Sequence, residues 1–128
     1  MNTYITHAAI YTADLERSRD FYCKYFGGVS NEKYADSDGF SSYFITFSSG
    51  ARLELMSHTE LESLIPRDRV TGYSHLAFSV GSRENVVALT NRLIADGYAQ
   101  YLPARDTGDG YFESCMADPD GNRVEITV

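Results

Sequence analysis

The 128-residue sequence has no tryptophan, only two cysteines and few basic residues. Two cysteines cannot form the disulfide framework of a small secreted domain, so we expect a reducing, cytoplasmic setting. The eleven Lys and Arg are outnumbered by eighteen Asp and Glu, which gives a formal net charge of −7. Because phosphate binding needs clustered cations, this balance argues against nucleic acids and anionic membrane surfaces as partners.

Long apolar runs are also missing. No segment approaches the roughly 18 consecutive apolar residues of a membrane-spanning helix, and the first residues lack the features of a signal peptide. The remaining composition is that of a globular protein, with 43% hydrophobic and 23% charged residues. A chain of this length has room for one domain.

The sequence repeats itself at a nearly constant interval. Residues 38–55 match residues 109–126 at an offset of 71, with the shared pattern D-G-aromatic-x9-G-x-R-[L/V]-E-[L/I]. A second match at an offset of 68 aligns the segment that begins at His7 with the one that begins at His75. Because these matches occur in the same order, they indicate an internal duplication.

Each copy predicts the element order β-α-β-β-β, and therefore an α+β fold of two tandem βαβββ modules. Asp14 and Ser82 are predicted helix N-caps, and glycines end both helical patterns. A capping box from Thr59 to Glu62 predicts a short helical turn between the copies. The predicted strands are 5–11, 31–35, 42–48, 52–56, 73–80, 98–103, 112–117 and 123–128. The predicted organisation is one domain, 1–128, with module one at about 3–57, a linker at about 58–72 and module two at about 73–128.

Four candidate metal ligands lie on the polar faces of these strands, because successive side chains of a strand alternate between its two faces. They are one histidine and one glutamate from each copy: His7, Glu54, His75 and Glu125. Two imidazoles and two carboxylates form an N2O2 donor set that suits a divalent transition metal. Such an ion can polarise a carbonyl or stabilise an enediolate, while a loosely held carboxylate acts as the base.

Structural roles are the alternative for the same four residues. A histidine in a strand is commonly a hydrogen-bonded structural residue. Glu54 and Glu125 could pair with Arg52 and Arg123, which lie two positions away on the same face. Duplicated salt bridges would not need the two histidines, however, so the equivalent placement of all four residues favours the metal site.

At these positions the sequence resembles the vicinal oxygen chelate superfamily, which contains glyoxalases, bleomycin resistance proteins and extradiol dioxygenases. The most specific similarity is the D-P-D-G-N-x-[V/I/L]-E-[L/I] motif at 118–126, together with the H-x-A-[F/I] openings of both copies. The resemblance implies a cupped mixed β-sheet with helices on its outer face, and a homodimer. It also implies that the four residues match the superfamily's ligand positions, namely His7, Glu54, His75 and Glu125.

The complete His/Glu/His/Glu set is most similar to the glyoxalase I branch. This similarity implies a metal-dependent lyase or isomerase that acts on a small oxygen-rich substrate with one divalent ion, which could be Zn, Ni, Co, Fe or Mn. Glu125 is the first candidate for moving a proton next to a carbonyl, and Glu54 is the second. A polar, glycine-rich loop predicted at 105–111 supplies three candidate substrate contacts, Arg105, Asp109 and Tyr111, with a plain surface loop as the equal alternative.

Two other functions stay open at this point. A metal-free protein could sequester an antibiotic or another small aromatic molecule in an aromatic cup, although the intact ligand set argues against it. The residues available for such a cup are Tyr4, Tyr11, Phe40, Tyr43, Tyr73 and Tyr111. A metal-dependent thiol transferase or dioxygenase of the same superfamily would differ from the isomerase only in the coordination positions of the metal that the protein leaves open. The sequence also leaves open whether the metal site forms within one chain or across a dimer.

Overall fold

The two sequence copies fold into two units of the same design, residues 1–64 and 65–128. The structure is a computed structural model and describes residues 1–64, 66 and 68–128; Ile65 and Arg67, which belong to the predicted linker, lie outside the described residues. No helix in the described part of the chain is both long and apolar enough to cross a membrane.

Unit 1 contains one helix, α1 (Leu15–Phe26), and one mixed sheet. Its strands are β1 (Ala8–Tyr11), β2 (Val29–Ser30), β3 (Tyr34–Ala35), β4 (Phe40–Thr46) and β5 (Arg52–His58). The order in the sheet is β1-β5-β4-β2, and β3 also pairs with β4. The β1–β5 pair is parallel and the other pairs are antiparallel, so the first and last strands of the unit are neighbours.

Unit 2 repeats this arrangement with helix α2 (Arg83–Ala95) and four strands. The strands are β6 (His75–Ser79), β7 (Gln100–Asp106), β8 (Phe112–Ala117) and β9 (Arg123–Thr127), in the sheet order β6-β9-β8-β7. Again the first and last strands, β6 and β9, form the parallel pair. The predicted α+β class and the two βαβββ modules are therefore confirmed.

Local sequence explains where the helices begin. Asp14 accepts a hydrogen bond from the backbone nitrogen of Arg17 at 3.0 Å, and Ser82 accepts one from that of Asn85 at 3.1 Å. Both side chains thereby satisfy a backbone donor that has no partner inside the helix. The predicted N-caps are confirmed. Helix α1 ends at Gly27, whose φ of +66° is the left-handed conformation that favours glycine.

Each helix covers the apolar face of its own sheet. In unit 1 the buried set is Phe21 and Tyr22 of α1 with Ile45, Leu53 and Leu55 of the sheet. In unit 2 it is Val86 and Leu93 of α2 with Met116, Val124 and Ile126. Burying each of these large side chains contributes about 1.5–3 kcal/mol. Because the apolar residues alternate with polar ones along β5 and β9, the glutamates point to the opposite face of each sheet.

The region after β5 differs from its prediction. A short helical turn was predicted from the capping box; residues 59–60 form a single hydrogen-bonded turn, closed from Leu61 to His58 at 3.0 Å, and residues 61–64 do not continue it. The backbone nitrogen of Thr59 donates instead to the carbonyl oxygen of Gly39 at 3.1 Å. A Cβ atom on Gly39 would meet the Thr59 side chain at 2.3 Å, so glycine is required for this close approach. Of the strand predicted at 31–35, only the last two residues form a strand, β3, and the short strand β2 precedes the predicted range.

Candidate functional site

In unit 1 the register of the parallel β1–β5 pair brings His7 next to Glu54. Ala9 is the direct partner of Glu54, and His7 precedes Ala9 by two residues on the same face. Because the alanine side chain is small, the imidazole can lean toward the carboxylate. His7 Nε2 lies 3.7 Å from Glu54 Oε1, and both side chains are partly exposed.

Unit 2 contains the same pair. Ala77 is the direct partner of Glu125 in the parallel β6–β9 pair, and His75 precedes it by two residues. His75 Nε2 lies 3.1 Å from Glu125 Oε2. The four predicted ligand residues therefore form two equivalent His–Glu pairs, each within one unit.

A hydroxyl group orients each imidazole ring. Thr6 Oγ1 lies 2.8 Å from His7 Nδ1, and Ser74 Oγ lies 3.1 Å from His75 Nδ1. Metal-binding histidines commonly use their second ring nitrogen in this way, because the hydrogen bond fixes the ring and its tautomer. Sequence reasoning missed these two residues, although a hydroxyl residue directly before each histidine was the available signal.

The two pairs fit the donors of a divalent transition metal. Two ligand atoms bound to one ion at about 2.0–2.2 Å each lie about 3–3.5 Å apart. The separations of 3.7 Å and 3.1 Å are close to this interval. Within the described residues no group of three or more His, Cys, Asp or Glu side chains is arranged to hold a metal ion. Each unit by itself thus supplies two donors.

The arginines beside the glutamates have other contacts. The guanidinium of Arg52 lies over the ring of Phe44, 4.9 Å from its centroid, and that of Arg123 lies 4.4 Å from the Tyr101 centroid. Arg123 Nη2 is also 3.7 Å from Asp68 Oδ2. The ion-pair contacts described for the two glutamates are with the histidines, which supports the ligand interpretation over the arginine alternative.

The surroundings of the two pairs differ. Across the sheet Glu54 faces Phe44, whose ring also meets the His7 ring edge-on at 5.1 Å. At the equivalent position Glu125 faces Cys115, a buried thiol. Burial raises the pKa of Cys115. Because the thiolate is the reactive form, a buried thiol with a raised pKa is a weak nucleophile.

A third carboxyl group, Glu113, lies beside Glu125. It is the direct partner of Thr127, two positions from the Cys115–Glu125 pair and on the same face. Burial raises the pKa of Glu113, as do the charge of Glu125 and a hydrogen bond with it, whereas Arg105 lowers it. Sequence reasoning missed Glu113, although alternation from Cys115 along β8 would place both on one face.

The predicted substrate contacts do not form a single loop. Arg105 lies in strand β7, directly opposite Glu113, so both side chains share the face of Glu125. Asp109 and Tyr111 belong to the turn that follows, and the negative charge of Asp109 reaches Glu113. This turn is fixed by three hydrogen bonds between Thr107 and Tyr111. The Thr107 backbone nitrogen and Oγ1 donate to the Tyr111 carbonyl oxygen at 2.8 Å and 3.1 Å, and the Tyr111 backbone nitrogen donates to Thr107 Oγ1 at 3.0 Å. Tyr111 is 54% exposed.

The aromatic residues considered for a cup lie in different environments. Tyr43 is buried, and its hydroxyl donates to Glu16 at 3.0 Å, so it belongs to the helix side of the sheet and is not available for a cup. Phe40, in contrast, lies on the Glu54 face of β4, with its ring centroid 6.1 Å from that of Tyr34. Tyr4, Tyr11 and Tyr73 are exposed.

Comparison with known proteins places these features in a family. The model of the Glyoxalase/Bleomycin resistance protein/Dioxygenase superfamily matches residues 4–126. The chain is 32% identical over 128 residues to the uncharacterized protein YqjT of Bacillus subtilis (strain 168), a match that covers 95% of this chain and 96% of that protein.

Solved structures agree on the fold. A glyoxylase/bleomycin resistance protein/dioxygenase domain from Frankia sp. EAN1pec has a TM-score of 0.84 at 20% identity, covering 100% of this chain and 98% of that one. The trypanothione-dependent glyoxalase I of Leishmania major has a TM-score of 0.77 at 24% identity, covering 98% and 86%. At these identities the likeness establishes the fold alone.

Proposed function

Because the chain belongs to the Glyoxalase/Bleomycin resistance protein/Dioxygenase superfamily, as its motifs predicted, we propose that it is a metal-dependent lyase or isomerase of the glyoxalase type. The substrate is a small oxygen-rich molecule, and the reaction moves a proton next to a carbonyl. The observation that carries this proposal is the duplicated His–Glu pair with its duplicated hydroxyl support. A homodimer, a cytoplasmic location and the absence of nucleic acid or membrane partners complete the proposal.

Four side chains would hold the ion: His7, Glu54, His75 and Glu125. Each unit supplies one imidazole and one carboxylate, so a four-ligand site needs both pairs, from one chain or from two. The candidate ions are Zn, Ni, Co, Fe and Mn, and a bound ion of this kind polarises a carbonyl oxygen.

Glu125 is the proposed proton-transfer residue and Glu54 is the second candidate. Their surroundings favour Glu125, because Glu113 is its diagonal neighbour on the same face of the β8–β9 pair. A proton taken up by Glu125 therefore has a second carboxyl group beside it on the same face. Glu54 faces the apolar Phe44 instead. Arg105, Asp109 and Tyr111 are the proposed substrate contacts, since all three lie on or next to the strands of the Glu125 face.

Metal analysis of purified protein tests the ligand set. We expect His7→Ala and Glu125→Ala to lose most of the divalent metal that the wild-type protein carries. His58→Ala is the matched control, because this histidine ends β5 and its Nδ1 already accepts a hydrogen bond from the backbone of Glu60 at 3.0 Å. Unchanged metal content in both ligand variants would contradict the site.

Activity assays test the reaction. We expect isomerisation of methylglyoxal hemithioacetals when Ni²⁺, Co²⁺ or Zn²⁺ is added, and a loss of about 100-fold or more in Glu125→Gln. If the methylglyoxal hemithioacetals of several different thiols all fail to react, the proposal of a glyoxalase activity is wrong and only the family assignment remains.

Sequestration of a small aromatic molecule is the second candidate function. The Tyr34–Phe40 ring pair on the Glu54 face favours it, because two neighbouring aromatic rings, here tilted by 57°, offer an apolar surface to an aromatic molecule. Equilibrium binding of bleomycin to metal-stripped protein distinguishes the two functions. Tight binding that survives in His7→Ala would support sequestration, whereas the proposed enzyme should bind the drug weakly.

A further inference from the structure

The polar faces of the two units diverge at one cross-strand pair. In unit 1 Tyr34 faces Ser42 across β3 and β4. At the positions 71 residues later, Arg105 faces Glu113 across β7 and β8. The duplication has thus kept the backbone pairing and exchanged a neutral pair for a pair of opposite charges.

The charged pair lies next to the proposed proton-transfer residue. Glu113 and Glu125 are diagonal neighbours on one face of the β8–β9 pair, and diagonal side chains in a sheet are within reach of each other. Both Arg105 and Glu113 are partly exposed. A ligand can therefore reach them from the solvent.

Arg105 has hydrogen-bonding capacity to spare. Its one described hydrogen bond is a long one, from Nη1 to the carbonyl oxygen of Pro103 at 3.5 Å. A guanidinium carries five N–H donors in a planar fork that matches a carboxylate. In the ion pairs of the described residues no carboxylate lies within 4 Å of Arg105. The guanidinium can therefore bind the carboxylate of a ligand.

The carboxyl groups around Glu113 call for a cation. Glu113 has Arg105 as its direct partner and Glu125 as its diagonal neighbour on one face, so two carboxylates, which repel each other, lie beside one guanidinium. A ligand that brought a carboxylate alone would add to this repulsion, and a ligand that brought an ammonium group alone would leave Arg105 unmatched. A group with both charges satisfies both residues.

We propose that the Arg105–Glu113 pair recognises an amino-acid group on the substrate, that is, an ammonium and a carboxylate on one carbon atom. Arg105 binds the carboxylate and Glu113 binds the ammonium group. This inference deepens the proposed function, because it rests on a substrate that approaches the Glu125 face. Unit 1 has no such pair at the equivalent positions, so the substrate binds in one orientation.

Four probes of nearly equal size separate the two charges. S-Methyl-L-cysteine carries both, 3-(methylthio)propanoate only the carboxylate, 2-(methylthio)ethylamine only the ammonium group, and 2-(methylthio)ethanol neither. Their dissociation constants are measured by chemical-shift titration of the full-length, metal-stripped protein. Removing the metal matters, because an amino-acid group can chelate a metal ion directly and would then imitate recognition by the protein.

We expect S-methyl-L-cysteine to bind about tenfold tighter than either single-charge probe. Arg105→Gln should weaken the two carboxylate probes about tenfold and leave the amine unchanged, whereas Glu113→Gln should weaken the two amine-bearing probes. Ser42→Ala, at the position of unit 1 equivalent to Glu113, is the matched control and should change none of the four constants.

Equal binding of all four probes overturns the inference, and so does a carboxylate probe that binds as tightly as the amino acid. A loss in Arg105→Gln that is the same for every probe also overturns it, because it would indicate a structural role. The proposed function fails separately. If the protein discriminates among the probes but no hemithioacetal reacts, the recognition site is supported and the isomerase activity is wrong. If hemithioacetals react but all probes bind alike, the isomerase activity is supported and the recognition site is wrong.

Discussion

Units 1 and 2 share their backbone pairing and their His–Glu pair but differ in the side chains around that pair. Both glutamates face an alanine across a parallel strand pair, and both histidines are held by the preceding hydroxyl residue. Around this common arrangement, unit 1 is aromatic and unit 2 is charged. The shared features are those that the proposed ligand set uses, and the different ones are those that the proposed substrate recognition uses.

The largest expected effect tests whether the two cores are equivalent. Leu55 and Ile126 are fully buried at positions 71 residues apart. We expect Leu55→Ala and Ile126→Ala each to lower the free energy of unfolding by about 2–5 kcal/mol, because each leaves a cavity beneath a helix. Urea unfolding followed by circular dichroism measures this. Val87→Ala, at a partly exposed position of α2, should cost far less. A loss below about 1 kcal/mol in one unit alone would show that the cores are not equivalent.

The next effect concerns the hydroxyl groups behind the histidines. Replacing Thr6 by Val or Ser74 by Ala removes the hydrogen bond to Nδ1, so the ring loses its fixed orientation. We expect the affinity for Zn²⁺ to fall about 10–100-fold in both variants, as measured by competition with a chromophoric chelator. Ser79→Ala, on the same strand as His75, is the control. If only one variant loses affinity, the ligand support is not symmetrical.

The helix N-caps offer a smaller, matched pair. Asp14→Ala and Ser82→Ala each leave one backbone donor of the first helical turn without its partner. Each should cost about 0.5–2 kcal/mol of unfolding free energy, while Asp14→Asn and Ser82→Asp, which preserve an acceptor, should cost less. Thermal melts in parallel provide the measurement. An unaffected Ser82→Ala would mean that the two helices begin by different means.

The smallest effect is the pH dependence that Glu113 gives to unit 2. Because its pKa is raised in the folded state, Glu113 favours folding at pH values below its ordinary pKa, and this contribution is lost as the pH rises through the folded-state pKa. Metal-free Glu113→Gln should therefore melt about 1–3 °C higher than wild type near pH 7, with no advantage at pH 4. Ser42→Ala should show no such dependence on pH. If the gain in melting temperature of Glu113→Gln increased toward low pH, it would contradict a raised pKa of Glu113 in the folded state.

Much of this fold follows from sequence patterns that act locally. Alternation along a strand correctly separated Glu54 and Glu125 from their apolar neighbours, and the caps Asp14 and Ser82 were predicted from residue type alone. The internal duplication also predicted that each residue of the ligand set in unit 1 has an equivalent in unit 2. The family resemblance was correct as well, because the superfamily model matches residues 4–126 and so includes the closing motif at 118–126.

Contacts between strands were harder to predict. The place of Glu113 beside Glu125 depends on the register of β8 and β9, which no single strand encodes. The capping box at Thr59 failed because the backbone of Gly39, twenty residues earlier, competes for the same nitrogen. Arg105 was expected in a loop, because a pattern of residue types does not predict the irregular pairing by which β7 extends to Asp106. What the sequence alone could not provide was thus the pairing of distant segments.

That irregular pairing has a consequence for how the protein could diversify. The register of β7 against β8 shifts between Gln100 and Leu102 and again between Leu102 and Arg105. Without the two shifts, Pro103 would face Glu113 in place of Arg105. A one-residue deletion in this strand would turn Arg105 to the other face of the sheet and bring a different side chain to Glu113. Under the proposed recognition by Arg105 and Glu113, short insertions and deletions in β7 would change the recognised substrate group and leave both His–Glu pairs untouched.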